Sequence, residues 1–138
     1  MAQLKFDTPE IETTDKWEAQ MRKGCLEMAV LASLWHGRLY GLEILRVLER
    51  DSHLMLSEGT IYPILNRLRV EGLVQSQWVE AEAGHPRKDY ELMQNGRDRA
   101  THMAETWTKF SAGLGFLIEP VLKDKEVERA LRQRPKRK

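Results

Sequence analysis

Asparagine, arginine, tyrosine and threonine gather on one side of the stretch SEGTIYPILNRLRVEGL, Ser57 to Leu73. Wound as a helix at about 100° per residue, it brings Ile61, Ile64, Leu65 and Leu68 into one narrow sector that must face a core. The opposite sector holds Gly59, Pro63, Asn66 and Val70, with Tyr62 and Arg67 on its flanks and Thr60 nearer the edge. An ordinary solvated face carries Glu and Lys; this one offers an amide, a phenol, a guanidinium and a glycine that holds nothing off. Asn and Arg can form paired hydrogen bonds with base edges in a major groove, and Thr and Tyr hydroxyls suit phosphates or bases. Arg87 and Lys88 follow a turn from Gly84 to Pro86, and Arg38 with Tyr40 precedes another helix. Taken singly these are solvated side chains. Three separated segments of the same chemistry together fit the grip of a duplex.

Two poor helix formers sit inside this stretch. Pro63 has no amide hydrogen, and its ring crowds the carbonyl four positions earlier, which is that of Gly59. Both fall on the outer face, where they let the first turns bend and leave no bulky group between backbone and partner.

Other chemistries find no support. No nucleophile elbow, phosphate loop or acid/base pair occurs, so no catalytic residue and no cofactor is expected. The histidines His36, His53, His85 and His102 are scattered, and the single Cys25 excludes an internal disulfide, so no metal site is expected either. Cys25 lies between Met21 and Met28 at helical spacing and reads as a small apolar side chain. With 31% charged and 41% apolar residues, the composition is that of a soluble globular protein. No apolar run reaches membrane-spanning length and the acidic start does not read as a secretory signal, so a cytoplasmic, membrane-free location is expected. The start is acidic and the end, from Lys123, is basic; such a tail can follow phosphates, though it is commonly a solvated end.

The elements that position these residues can be read from periodicity. Trp17, Met21, Cys25, Met28, Leu31 and Trp35 recur at intervals of three and four, one stripe of a long helix closed by His36 and Gly37. A shorter helix starts near Tyr40, with Leu42, Leu45 and Leu48 as its inner row. Ser57 is read as the N-cap of the next helix, its hydroxyl accepting from first-turn amides. After Leu73 the pattern alternates: Val74 with Trp78, then Tyr90 with Leu92, give two strands with one buried face joined by a turn at Gly84. From Ala100 the positions Met103, Trp107, Phe110, Leu114, Leu117 and Val121 alternate steps of three and four, the seam of a helix lying along another helix. Gly113 and Gly115 weaken that helix unless a backbone approaches there, and Pro120 with the charged tail is expected to finish it.

Tandem short helices followed by a hairpin form the layout of a winged helix-turn-helix. The motifs YGLEIL, SEGTIYPILNRLRVEGLV, SQW and GHPRKDYEL, with Gly96 before a long helix, resemble the PadR family of bacterial transcriptional regulators over about Gly24 to Val121. The resemblance implies a mainly α fold with a small β-hairpin: a winged helix-turn-helix domain plus a long C-terminal dimerisation helix. It implies a DNA-binding domain at 15–94 and a dimerisation helix at 95–122; the flexible extension expected at 1–14 and the basic tail at 123–138 are not assigned by the family. In many members a threonine after the second strand caps the last helix; here that position is Met93, and Asn95 is expected to replace it.

What the resemblance implies for function is a homodimeric repressor on a palindromic double-stranded DNA operator. Tyr40, Ser57, Thr60, Tyr62, Asn66, Arg87 and Lys88 carry over as DNA-facing, and the wheel adds Arg67. Trp17, Met21, Met28, Leu114, Leu117 and Val121 form the implied dimer seam. Members often respond to small aromatic or hydrophobic effectors near the dimer interface; Met103, Trp107 and Phe110 either line such a site or, as the plainer and favoured reading, are packed dimer core. The alternative is a winged-helix module that docks a protein on the outer face of its third helix.

Overall fold

The computed structural model describes the backbone of residues 2–80 and 84–133 and the side chains of residues 16–80 and 84–133. The side chains of the 1–14 extension and the end of the basic tail, 134–138, lie outside the described residues. The elements run α1 (Ala2–Ser33), β1 (Leu39–Tyr40), α2 (Gly41–Ser52), α3 (Glu58–Val70), β2 (Val74–Glu80), β3 (Pro86–Leu92) and α4 (Gln94–Arg132). Mainly helical with one small antiparallel sheet, the chain divides into units Met1–Thr101 and His102–Lys138.

The first unit is built around one core. Val30 and Leu31 from the end of α1, Leu34 from the turn after it, Ile44 and Leu48 from α2, and Ile61, Leu65 and Leu68 from α3 are buried, with Leu73, Val74 and Tyr90 from the sheet side. Each such aliphatic side chain removed from water contributes about 1.5 to 3 kcal/mol before ordering costs. The α1 helix stops at Ser33, earlier than the stripe to Trp35 implied; a turn follows in which the Leu34 and Trp35 amides donate to Leu31 and Ala32 carbonyls at 3.2 and 3.1 Å.

Local chemistry sets the ends of α2 and α3. The Glu43 carboxylate reaches back to accept from the Tyr40 amide at 3.2 Å, fixing the start of α2. Its inner row is Gly41, Ile44 and Leu48, whereas Leu42, read as inward, is exposed. α3 ends in a Schellman turn: Gly72, at φ 78°, donates to Arg69 and Leu73 donates to Leu68 at 3.0 and 2.9 Å. At its start Ser57 has cap geometry, but its hydroxyl makes no cap bond and instead shares a hydrogen with the Thr60 hydroxyl at 3.2 Å. The expected side-chain cap is therefore absent: the Ser57 hydroxyl pairs with another hydroxyl instead of a first-turn amide.

The sheet order is β1-β3-β2, so the hairpin carries a third strand the sequence did not reveal. β1 is two residues long, Leu39 opposite Tyr90 and Tyr40 opposite Asp89, too short to show alternation. Gly84, in the left-handed region at φ 73°, stands at the hairpin turn. Within β2, Val74 is buried but Trp78 on the same parity is 68% exposed, against the expected inward face. Along β2 burial falls from Val74 at the base of the hairpin to the exposed Gln77, Trp78 and Glu80.

Gly96 makes the junction of α4 with the sheet possible. A Cβ there would overlap the Leu73 carbonyl oxygen, which accepts from the Met93 amide at 3.0 Å. The Arg97 amide donates to the Met93 carbonyl at 3.0 Å, so Met93 stands at the helix start and Asn95 lies inside the first turn rather than capping it. Further along, α4 continues through Pro120 to Arg132, past the end expected at Leu122. Pairs at helical spacing support that extension: Lys123 with Glu119 at 2.7 Å and Arg132 with Glu128 at 3.5 Å.

Candidate nucleic-acid interface

Between α3 and the hairpin lies a depression of about 570 Å³ lined by Tyr40, Leu42, Tyr62, Asn66, Trp78, Arg87 and Lys88, among others. Five of the eight side chains read from the sequence as DNA-facing thus meet at one surface. Helical geometry puts Tyr62 and Asn66 one turn apart on the same outer row of α3. Strand geometry puts Arg87 and Lys88 on opposite faces of β3, just after the turn.

The depression has aromatic walls and cationic edges. The Arg87 guanidinium carbon stands 4.4 Å from the Tyr40 ring centroid, and the Lys88 ammonium 5.7 Å from that of Trp78. Arg87 Nε also donates to Asp89 Oδ1 at 3.1 Å, and Asp89 is buried. From the helix side, Tyr62 lies directly over Gly41, where an added Cβ would stand 2.5 Å from the phenol oxygen. Arg46 Nη1 donates to the Tyr40 hydroxyl at 3.4 Å, and Arg69 Nη2 to Asn66 Oδ1 at 3.0 Å. Burial raises the Tyr90 phenol above its ordinary pKa, with Tyr62 adding to the shift and Arg69 opposing it.

The remaining three predicted side chains lie apart. Ser57 and Thr60 are exposed at the first turn of α3, joined to each other. Arg67 is turned away from the depression towards α1: it donates to Glu27 at 2.8 Å and to Glu71 at 3.5 Å. Glu27 accepts Arg99 as well, at 2.9 Å, and its hydrogen bond raises the Arg67 pKa further above the ordinary guanidinium value. On this geometry Arg67 ties α3 to α1, a role the wheel did not give it because the position of Glu27 is invisible in a local pattern. Trp78 and Leu42 join the surface although the sequence reading assigned both to the interior. Nothing local distinguishes an exposed Trp78 from a buried one at that parity.

Among the described residues, no group of three or more His, Cys, Asp or Glu is placed to hold a metal ion, and no helix is long and apolar enough to cross a membrane. In the first unit Trp17 and Met21 are exposed and Met28 is half-buried. In the second, Met103 is half-buried while Trp107, Phe110, Leu114, Leu117 and Val121 are exposed, joined by Phe116, Ile118 and Leu122 on adjoining sides of the helix.

Comparison with known proteins gives a consistent picture. The model of the transcriptional regulator PadR-like family matches residues 30–102. Among solved structures, a PadR-like transcription factor from Bacteroides fragilis is 31% identical, covering 74% of this chain and 98% of that one, with a TM-score of 0.61. A PadR family transcriptional regulator from Eggerthella lenta is 27% identical over 81% of this chain and 97% of its own, with a TM-score of 0.71. A PadR-like transcriptional regulator from Bacillus cereus is 29% identical over 72% and 96%, with a TM-score of 0.66. No curated protein matches the chain.

Proposed function

The chain belongs to the PadR-like family of transcriptional regulators, which are not enzymes, and from that premise we propose that it is a homodimeric repressor of a palindromic operator. One recognition helix per subunit, α3, enters the major groove, and half-site centres lie about 10 base pairs apart. Asn66 and Tyr62 meet base edges or the adjoining backbone, Ser57 and Thr60 face the phosphates at the first turn of α3, and Arg87 and Lys88 follow the backbone from the wing. The observation that carries this reading is the depression that joins the α3 outer row to the two wing cations. Gly59 and Pro63 are exposed on the same side, and a Cβ added at Gly59 would touch little, only Ser57 Oγ at 3.6 Å. The helix backbone is accordingly open to close approach.

A second copy of the chain covers the apolar rows. Trp107, Phe110, Leu114, Leu117 and Val121 are too many large side chains for a helix that stays in water. Sedimentation of a Leu117→Glu, Val121→Glu variant should show a monomer where the wild type is a dimer. A small hydrophobic effector that releases the operator would enter beside Trp107, between Met103 and Phe110. Calorimetry of wild type against Trp107→Phe with candidate aromatic compounds checks this, and identical heats remove the effector from the proposal.

The decisive test is operator binding. Fluorescence anisotropy with the promoter of the protein's own transcription unit should show affinity falling with salt, since each phosphate contact releases counterions. An Arg87→Ala, Lys88→Ala variant should bind more weakly at all sequences and lower the log–log salt slope by about 2. Unchanged affinity and slope would remove the wing from the interface, and no binding by the wild type to any fragment of that promoter would favour a protein partner instead.

A further inference from the structure

The described core has a single buried charged residue, Asp89 at 6% exposure, and the proposed DNA contacts do not use it. It occupies the central strand, paired in register with Tyr40 on β1 and with Gln77 on β2. A carboxylate placed there loses its hydration and needs a partner of opposite charge. That partner is Arg87 two residues earlier on the same strand parity, with its side chain 43% exposed while that of Asp89 is 7% exposed. The bond runs from Nε, at 3.1 Å. It uses one of the five guanidinium donors and leaves the Nη1 and Nη2 edge with no hydrogen-bond partner among the described residues. The Tyr40 ring, 4.4 Å away, closes one face of the same guanidinium. A side chain with several rotatable bonds is thereby held through Nε and along one face, in the lining of the depression.

Electrostatics alone would argue against such an acid. A carboxylate beside a phosphate path repels the backbone, and one that neutralises Arg87 weakens its attraction for DNA. Burial behind the guanidinium limits that repulsion, and orientation is what remains to be gained. A fork fixed before binding forfeits less conformational entropy when it engages a phosphate or a guanine edge than one that must be found among many rotamers.

We infer that Asp89 is a positioning residue, which holds Arg87 by its Nε so that the terminal edge of the guanidinium is presented to DNA. The inference rests on the operator-binding reading above and deepens it.

The test is a double-mutant cycle in the full-length chain, read by operator affinity and salt slope. Arg87→Ala and Asp89→Ala should each weaken binding about tenfold, and the double variant should be no weaker than Arg87→Ala alone. Asp89→Asn keeps an oxygen that can accept from Nε and should restore affinity to within about threefold of wild type. Tighter binding by Asp89→Ala would show that the acid only neutralises Arg87, overturning the inference. An equal loss on removing Asp89 in the Arg87→Ala background would show a purely structural role and overturn it too. If Arg87→Ala binds like wild type, the wing reading itself fails and the inference with it; if Arg87→Ala weakens binding and Asp89→Ala does not, the inference alone fails. Should Asp89→Ala fail to fold, proton–nitrogen NMR of the Arg87 Nε–H decides in wild type and Asp89→Asn. A dispersed, slowly exchanging signal in both supports the inference, and a signal averaged like that of a free arginine refutes it.

Discussion

Gly41 opens α2 directly beneath the ring of Tyr62, and the closeness of the two gives a quantitative prediction. A methyl group at position 41 would stand 2.5, 2.7 and 2.8 Å from the Tyr62 hydroxyl oxygen, Cε1 and Cζ. Ordinary contact needs about 3.4 Å or more, so the ring must retreat by roughly 0.6 to 0.9 Å or swing out. Tyr62 is 40% exposed, so an outward path exists. A tyrosine of about 200 Å² that is three-fifths covered loses at most about 3 kcal/mol if it leaves entirely, at 25 cal/mol per Å². Partial retreat loses less, and Ala in place of Gly returns up to about 1 kcal/mol in a helix. Gly41→Ala should therefore destabilise the protein by about 1 to 2 kcal/mol, measured by urea unfolding followed by circular dichroism. In a Tyr62→Ala background the same substitution should be neutral or stabilising, giving a coupling of at least about 1 kcal/mol. Additive effects within about 0.4 kcal/mol would refute the argument that the ring is what Gly41 makes room for.

Other substitutions follow the same reasoning. Gly96→Ala drives a methyl group into the Leu73 carbonyl, a backbone atom that cannot swing aside, and loses the Met93 amide bond to it; a loss of about 3 kcal/mol in chemical unfolding is expected, and one under about 1 kcal/mol would contradict the close approach. Glu27→Gln weakens the pairs to both Arg67 and Arg99, with half-exposed guanidiniums, and should lower stability by about 1 to 2 kcal/mol at low salt, the deficit shrinking in high salt. A deficit independent of salt would assign Glu27 a packing role. Burial raises the Tyr90 pKa above its ordinary 10.0, so the folded state holds the phenol proton more tightly than the unfolded one. That contribution is complete below about pH 10 and is lost as pH rises through the folded value. Wild type should lose stability above pH 10 more steeply than Tyr90→Phe in parallel urea titrations, and parallel curves would deny the shift.

Much of the positioning scaffold is local and was readable. The buried row Ile61, Leu65 and Leu68 of α3, the turn at Gly84 and the order of helices and hairpin follow from spacing, because a side chain's sector on a helix or face on a strand depends only on its neighbours in sequence. The outer-row positions of Tyr62 and Asn66, both exposed, were legible for the same reason.

What escaped was decided by partners distant in the chain. β1 exists only because β3 pairs with it fifty residues later, and two residues carry no period of their own. Arg67 lies on the outer flank of α3 by geometry, yet Glu27, forty positions earlier, draws it towards α1. Leu42 and Trp78 lie on faces that spacing marks as apolar, yet both are exposed, whereas Asp89 is polar and is buried beside Arg87. The sequence by itself determined the order of the helices and the hairpin, the apolar row of α3 and the place of the turn at Gly84. Only the tertiary structure decided which apolar faces meet a neighbour and which charge meets which, because burial and pairing are properties of atoms brought together across the chain.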